Sequence, residues 1–205
     1  MTDGALRLPG AAERDFGAYN AAQRGRPVRP LATQATQLAG PGAGRTALEL
    51  GCGLGIETRH LAEHGWHVHS LDADPSVGPA LRELAGRWPI RHRTASLEEP
   101  PSLEPCQLLL SCATLPFVRR QRFAALWAAI RGALLPGAVL AVDLFGVRDD
   151  WAGGDGTFHS REEALALLDG LEVVAMVEDE RDGRAFSGPK HWHTFRILAR
   201  QPAAG

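Results

Sequence analysis

Apolar residues fall in short runs, cut by polar breaks rich in glycine and proline. Thr46-Ala-Leu-Glu-Leu50 reads as a first strand running into glycines. From Ile56 to His64 the spacing becomes helical, and Gly65 stands where a helix end favours positive φ. Trp66 to Leu71 reads as a second strand. Asp74-Pro75 is an N-cap followed by proline in a first helical turn. The helix it opens turns Val77, Leu81 and Leu84 inward and stops near Gly86. Ile90 to Thr94 is a third strand. Leu108 to Ser111 is a fourth, an unbroken apolar run of the kind covered on both faces. Arg119 to Leu134 is an amphipathic helix with Phe123, Leu126, Trp127 and Ile130 on one side. Pro136-Gly137 turns the chain into a fifth strand, Ala138 to Leu144. Ser160-Arg-Glu-Glu163 is a capping box for a helix reaching Asp169. Leu171 to Val177 and Thr194 to Ala199 are the last strands, with the Asp182-Gly183 turn signal between them predicting an antiparallel pair.

Strands alternating with helices predict an α/β fold: seven strands, mostly parallel, the last antiparallel, with helices on both faces. Ligands of such sheets bind at the carboxyl ends of the strands. Ahead of the first strand, Phe16, Tyr19 and Ala22 form a weak helical stripe, and Pro30 to Leu38 suits a second helix. This predicts a helical extension over residues 1–44 and a ligand-binding domain over residues 45–205.

Composition narrows the function. The 205 residues suit one domain, and 22 Lys and Arg against 24 Asp and Glu give a net charge of −2. A strongly basic nucleic-acid binder is excluded, and no nucleic-acid partner is expected. No apolar run nears the ~20 residues of a membrane span. The N-terminus lacks the apolar segment of a signal peptide. Cys52, Cys106 and Cys112 show neither a disulfide framework nor zinc-ligand spacing. A reduced, cytoplasmic protein is expected. His67 and His69 share a strand face without an acidic or cysteine partner at ligand spacing, so no metal is expected.

The most informative stretch is Glu49-Leu-Gly51-Cys52-Gly53-Leu-Gly55. Three glycines at alternate positions end a strand and open a helix, where bare backbone can approach a ligand. The spacing departs from GxGxxG because position 56 is Ile, which disfavours a nicotinamide cofactor. Asp72 ends the next strand, where a carboxylate can take both hydroxyls of a ribose. Glycine turn, helix and acid together predict a nucleoside-containing cofactor.

On these residues the chain resembles the class I S-adenosylmethionine-dependent methyltransferases. The family's acid-then-GxGxG motif matches at Glu49, Gly51, Gly53 and Gly55, and its acid after the second strand at Asp72. Its Leu-x-Pro-Gly-Gly turn is present as Leu134-Leu-Pro-Gly-Ala138, departing at Ala138. The resemblance spans about residues 45 to 200 and implies a Rossmann-like sheet. Thr114-Leu-Pro-Phe-Val118, Asp143 to Trp151 and Pro189 to Phe195 are most similar to small bacterial enzymes near the tellurite-resistance and thiopurine methyltransferases. The resemblance implies S-adenosylmethionine as cofactor, with Glu49 orienting its methionine end. Gly51, Gly53 and Gly55, with Cys52 between them, would pass close to methionine and ribose. Asp72 would hold the ribose, Ala73 would pack on adenine, Ala95, Ser96 and Leu97 would meet its edge, and Ser111, Cys112 and Ala113 would lie under the methionine. The expected activity is methyl transfer to a small molecule by a monomer or homodimer. The alternative is a non-catalytic module that binds S-adenosylmethionine and regulates a partner.

A sulfonium methyl is already electrophilic, so the protein must align the reactants and exclude water. A base is needed only for an acceptor that arrives protonated. No Asn/Asp-Pro-Pro-aromatic motif and no Pro-Cys pair follows the fourth strand, which argues against the two types of DNA-base methylation. Acceptor-side candidates come from three loops. Tyr19 belongs to the extension as a lid residue. Arg148, Asp149 and Trp151 follow the fifth strand. His191 and His193 flank Trp192 and share one face of an extended segment. His191, His193 and Arg148 are the catalytic candidates, and Tyr19, Asp149, Trp151 and Trp192 the substrate or lid candidates. Arg24, Arg26 and Arg29 read as a solvated basic arm.

Overall fold

The computed structural model describes residues 15–99 and 102–203. The first fourteen residues of the expected extension lie outside the described residues. Helices α1 (Phe16–Ala22) and α2 (Pro30–Ala39) precede strand β1 (Thr46–Leu50). Then come α3 (Ile56–Glu63), β2 (His67–Asp72), a 3-10 turn at Pro75–Val77, α4 (Gly78–Ala85), β3 (Ile90–Thr94) and β4 (Cys106–Ser111). A second 3-10 turn at Leu115–Phe117 leads to α5 (Arg120–Ala133), β5 (Leu134–Gly146), β6 (Phe158–His159), α6 (Arg161–Ala166), β7 (Glu172–Ala185) and β8 (Gly188–Arg200).

Seven strands lie in the order β3-β2-β1-β4-β5-β8-β7, and the two-residue β6 pairs with β5. β1 to β5 are mutually parallel, while β8 runs antiparallel to both β5 and β7. This is the Rossmann-like, mostly parallel sheet that the sequence predicts.

Strand periodicity divides the core into two layers. Leu48, Leu50, Leu109, Leu140 and Val142 face α5 and α6, packing with Phe123, Leu126, Trp127 and Ile130. Ala47, Leu108, Leu110, Val139 and Ala141 face the other way, against Leu31, Ala35, Leu61 and Leu81 of α2, α3 and α4. Neighbours along a strand alternate between the layers because successive side chains point to opposite faces. Helix α2 belongs to this core as fully as α3 does, since Leu31, Ala32 and Ala35 are buried. Within residues 15–44, α1 and the segment that links it to α2 stand at the mouth of the strand ends.

The last hairpin differs from the sequence expectation. Asp182-Gly183 is not the turn. Asp182 pairs with His191 and Gly183 with Lys190, and the chain reverses only at Phe186-Ser187. The outer halves of β7 and β8 extend past the core, so their residues are polar and read as loop. Charge pairs hold them: Arg148 joins Glu178 and Glu180, and His191 joins Asp182. The capping box forms as predicted, with Glu163 N–H donating to Ser160 Oγ and Ser160 N–H to Glu163 Oε2.

Candidate active site

The glycine turn lies at the carboxyl end of β1, in the middle of the sheet. Gly51 has φ +76°, and a Cβ there would sit 2.0 Å from Thr114 Oγ1, so no side chain fits. Gly55, at φ +78°, starts α3 with Leu84 Cδ1 only 2.7 Å from where its Cβ would be. Its glycine serves helix packing as well as the turn.

Asp72 ends β2 beside this loop. Its Oδ2 accepts from Gly53 N–H at 2.7 Å and its Oδ1 from Asp74 N–H at 2.9 Å. Burial raises its pKa, and the two backbone donors oppose that rise. Each carboxylate oxygen keeps a further lone pair, and Asp72 lines the cavity at these strand ends.

Two cavities open at these strand ends. The first, of about 530 Å³, is lined by Gly51, Cys52, Gly53, Asp72, Ala73, Ser96, Leu97, Cys112 and Ala113. These are nine of the thirteen cofactor positions read from the sequence. Its volume falls within the ~300–1,000 Å³ typical of small-molecule and cofactor sites. The second, of about 500 Å³, is lined by Asp143, Phe145, Trp151, Trp192, Thr194 and Arg196 among others. Phe16, Tyr19, Arg29, Ala113 and Phe117 line both, so the two share a wall.

That wall has an unusual backbone. Ala113 follows β4 at φ +53°, one of two non-glycine residues with positive φ among the described residues. A left-handed alanine costs about 1 kcal/mol, which the surroundings must impose. Its N–H lies close enough to the Asp143 carboxylate to favour the charged form. Asp143 comes up from β5, with Arg196 Nε of β8 at 4.0 Å. Burial lifts its pKa to about 6, against the pull of Arg196 and Arg29.

The remaining four cofactor candidates line neither cavity. Glu49 is buried behind the loop, where it accepts from Thr58 Oγ1 at 2.5 Å. Burial, aided by the nearby Glu57 charge, pushes its pKa well up. Gly55 packs on α4. Ser111 Oγ donates to Leu50 O at 3.1 Å, and Ala95 packs against the core while its N–H bonds Asp72 O.

The acceptor-side expectations divide likewise. Tyr19, Trp151 and Trp192 line the second cavity. His191, His193 and Arg148 line neither, which corrects their reading as catalytic candidates. Alternation puts both histidines on the face of β8 opposite Trp192. There His191 contacts Asp182 and Glu180, and the buried His193 contacts Glu178 and accepts from Arg148 N–H. Arg148 itself is tied to Glu178 and Glu180. Asp149 is also behind the wall. It is buried and paired with Lys190, whose Nζ is 2.5 Å from Oδ2. Lys190, the only lysine of the chain, lies 3.7 Å from the Trp192 ring centre and 4.3 Å from that of Trp151.

The basic arm is likewise not solvated throughout. Arg26 makes a bidentate pair with Glu57, at 2.6 and 2.5 Å, and Arg29 donates to Tyr19 Oη at 3.1 Å. Both arginines line the first cavity, as do Asn20, Glu57 and Thr114, which sequence reasoning missed. Asp143 was also missed, though a lone acid in the apolar run 138–144 was a readable signal.

Residues 47–137 match the family model of a methyltransferase domain. Over those residues the chain carries a methyltransferase domain. Solved structures share the methyltransferase's fold. TehB from Haemophilus influenzae aligns at TM-score 0.74 with 16% identity, over 91% of this chain and 67% of that one. The 1,6-didemethyltoxoflavin-N1-methyltransferase of Burkholderia thailandensis, solved with 1,6-didemethyltoxoflavin and S-adenosylhomocysteine, aligns at 0.63 with 19% identity, over 92% and 82%. The N-methyltransferase NodS from Bradyrhizobium japonicum aligns at 0.64 with 18% identity, over 93% and 98%. No curated protein matches the methyltransferase in sequence. Among the described residues, no helix is long and apolar enough to cross a membrane.

Proposed function

We propose that this methyltransferase modifies a small molecule held in the second cavity, with S-adenosylmethionine in the first. The observation that carries the reading is the shared wall: two cavities of cofactor and metabolite size meet at Ala113, Tyr19 and Phe117.

The cofactor supplies an electrophilic methyl group on a sulfonium. Asp72 takes the ribose hydroxyls, its position already set by the Gly53 and Asp74 amides. Ala73, Ser96 and Leu97 flank the adenine. Gly51 and Gly53, with Cys52, leave backbone at the ribose and methionine, and Cys112 and Ala113 lie beneath the methyl end. Glu49 acts from behind the loop, fixing Thr58 at the start of α3 rather than touching the ligand. Arg26 and Glu57 neutralise each other at the methionine side, an arrangement suited to a zwitterion.

Helix α1 and the β7–β8 hairpin tip close the entrance together. Tyr19 and Phe186 meet edge to face at 6.0 Å. This seals the reactants from water and brings them in line, which can contribute several kcal/mol.

Titration calorimetry with S-adenosylhomocysteine tests the cofactor site. Heat and an upward shift in melting temperature are expected, and neither would appear if the site were misread.

A further inference from the structure

We propose that Asp143 is the general base of this methyltransferase, and that the acceptor is a flat aromatic molecule bearing a protonated ring N–H or O–H. The proposal rests on the two-cavity reading above and specifies its second half.

The second cavity takes up seven of the chain's thirteen aromatic side chains. Trp192 stands edge-on to Phe145 at 5.7 Å and to Trp151 at 5.7 Å, and Phe117 lies 6.0 Å from Trp151. Such walls favour a planar ligand, which gains ring contacts beyond simple burial. Aromatic walls can also hold a cation, but the charge here opposes one. Arg29, Arg181, Arg184 and Arg196 line the cavity, against Asp15, Asp143 and Asp179. Asp15 is engaged in capping α1, and Asp179 is paired with Arg181. Lys190 behind Trp192 is balanced by the buried Asp149. A neutral or anionic ring is the fitting occupant.

Asp143 is the acid left facing that occupant. It is reached from β8 by Arg196, from the start of α2 by Arg29, and from the end of β4 by the Ala113 N–H and the Cys112 thiol. Its position beside Ala113 puts it at the divide between the cavities, where the methyl group must cross. His191 and His193 point away, so no histidine competes for the role. Burial holds its pKa at about 6, so it is mainly ionised at neutral pH and still basic enough to take a proton.

The step balances without a further reactant. The acceptor's X–H proton passes to Asp143 Oδ, giving the carboxylic acid. The electron pair on X forms the new X–CH3 bond. The C–S bond breaks, and its pair stays on sulfur as the neutral thioether. Asp143 then releases its proton to water.

The test uses the full chain saturated with S-adenosylhomocysteine or S-adenosylmethionine. Quenching of tryptophan fluorescence reads binding of 4-nitrophenol and benzimidazole, with 2-mercaptoethanol and phenethylamine as aliphatic thiol and cationic controls. Binding of the planar pair and not of the controls is expected. Release of S-adenosylhomocysteine reads turnover. Wild-type kcat for the planar pair should rise through a pH near 6 and level off. Asp143→Asn should lose that limb and 10²–10⁴-fold in kcat while keeping its affinity for S-adenosylhomocysteine. Preferential binding of the controls, binding of neither planar probe, or an Asp143→Asn enzyme with the wild-type rate and pH profile would each overturn the proposal. Any of these beside intact S-adenosylhomocysteine binding leaves the cofactor site standing, whereas loss of that binding overturns the earlier reading instead.

Discussion

Gly53 N–H donates to Asp72 Oδ2 at 2.7 Å, linking the tips of two neighbouring strands. The carboxylate therefore holds the bare loop in shape before any ligand arrives. Replacing Asp72 removes both a ligand partner and a loop anchor. Asp72→Ala should weaken S-adenosylhomocysteine binding by about 1.5–3 kcal/mol for each ribose hydrogen bond lost, roughly tenfold or more. Asp72→Asn keeps an acceptor for Gly53 and should lose less. Calorimetry on both variants checks the order; equal losses would mean that the carboxylate, and not the loop contact that Asn retains, is what the ligand needs.

Asp143 couples function to stability. Its pKa rises on folding from 3.8 to about 6. The folded state therefore binds a proton more tightly than the unfolded state does. This contribution is fully present below pH 4 and is lost as pH rises through 6, costing about 3 kcal/mol above it. Asp143→Asn should then be more stable than wild type at pH 8, by up to that amount, and no more stable at pH 3.5. Urea unfolding at the two pH values measures the difference, and a gain that did not change with pH would contradict it.

The Lys190–Asp149 pair is buried, with both side chains at 1% exposure or less. Asp149 also accepts from the amides of Trp151 and His193. Lys190→Met strands a buried carboxylate and should cost about 3–5 kcal/mol. Asp149→Asn in the same chain should recover part of that. Denaturant midpoints of the single and double variants decide whether the charge or the packing dominates.

Phe186 is 59% exposed at the hairpin tip. Phe186→Ala should change stability by less than about 0.5 kcal/mol, as surface replacements generally do. Its loss opens the contact with Tyr19, so acceptor KM should rise several-fold with S-adenosylhomocysteine affinity unchanged. Steady-state kinetics with a turned-over acceptor would expose any effect on the cofactor instead.

His191 is raised in pKa by Asp182 first and Glu180 second. A raised histidine lends stability below its ordinary pKa of about 6.5 and loses it as pH climbs through the folded value. His191→Gln should narrow the gap in melting temperature between pH 5.5 and pH 8. Turnover should stay at the wild-type level, and a loss of turnover would return His191 to the mechanism.

Local patterns in the chain were enough for much of this. Period-two and period-3.6 spacing determined the strands and helices, because each element must bury one stripe. The glycines at 51 and 53 and the acid at 72 pointed to the first cavity, because bare turns and strand-end acids are local features. Tertiary structure alone decided the acceptor side. His191 and Trp192 are adjacent in sequence, yet sheet alternation sends one to a charged outer face and the other into the cavity. The extended hairpin, held by polar cross-strand pairs, carries no hydrophobic pattern to announce it. Asp143 and Ala113 belong to different strands, and only the order of those strands in the sheet brings the carboxylate to the wall between the cavities.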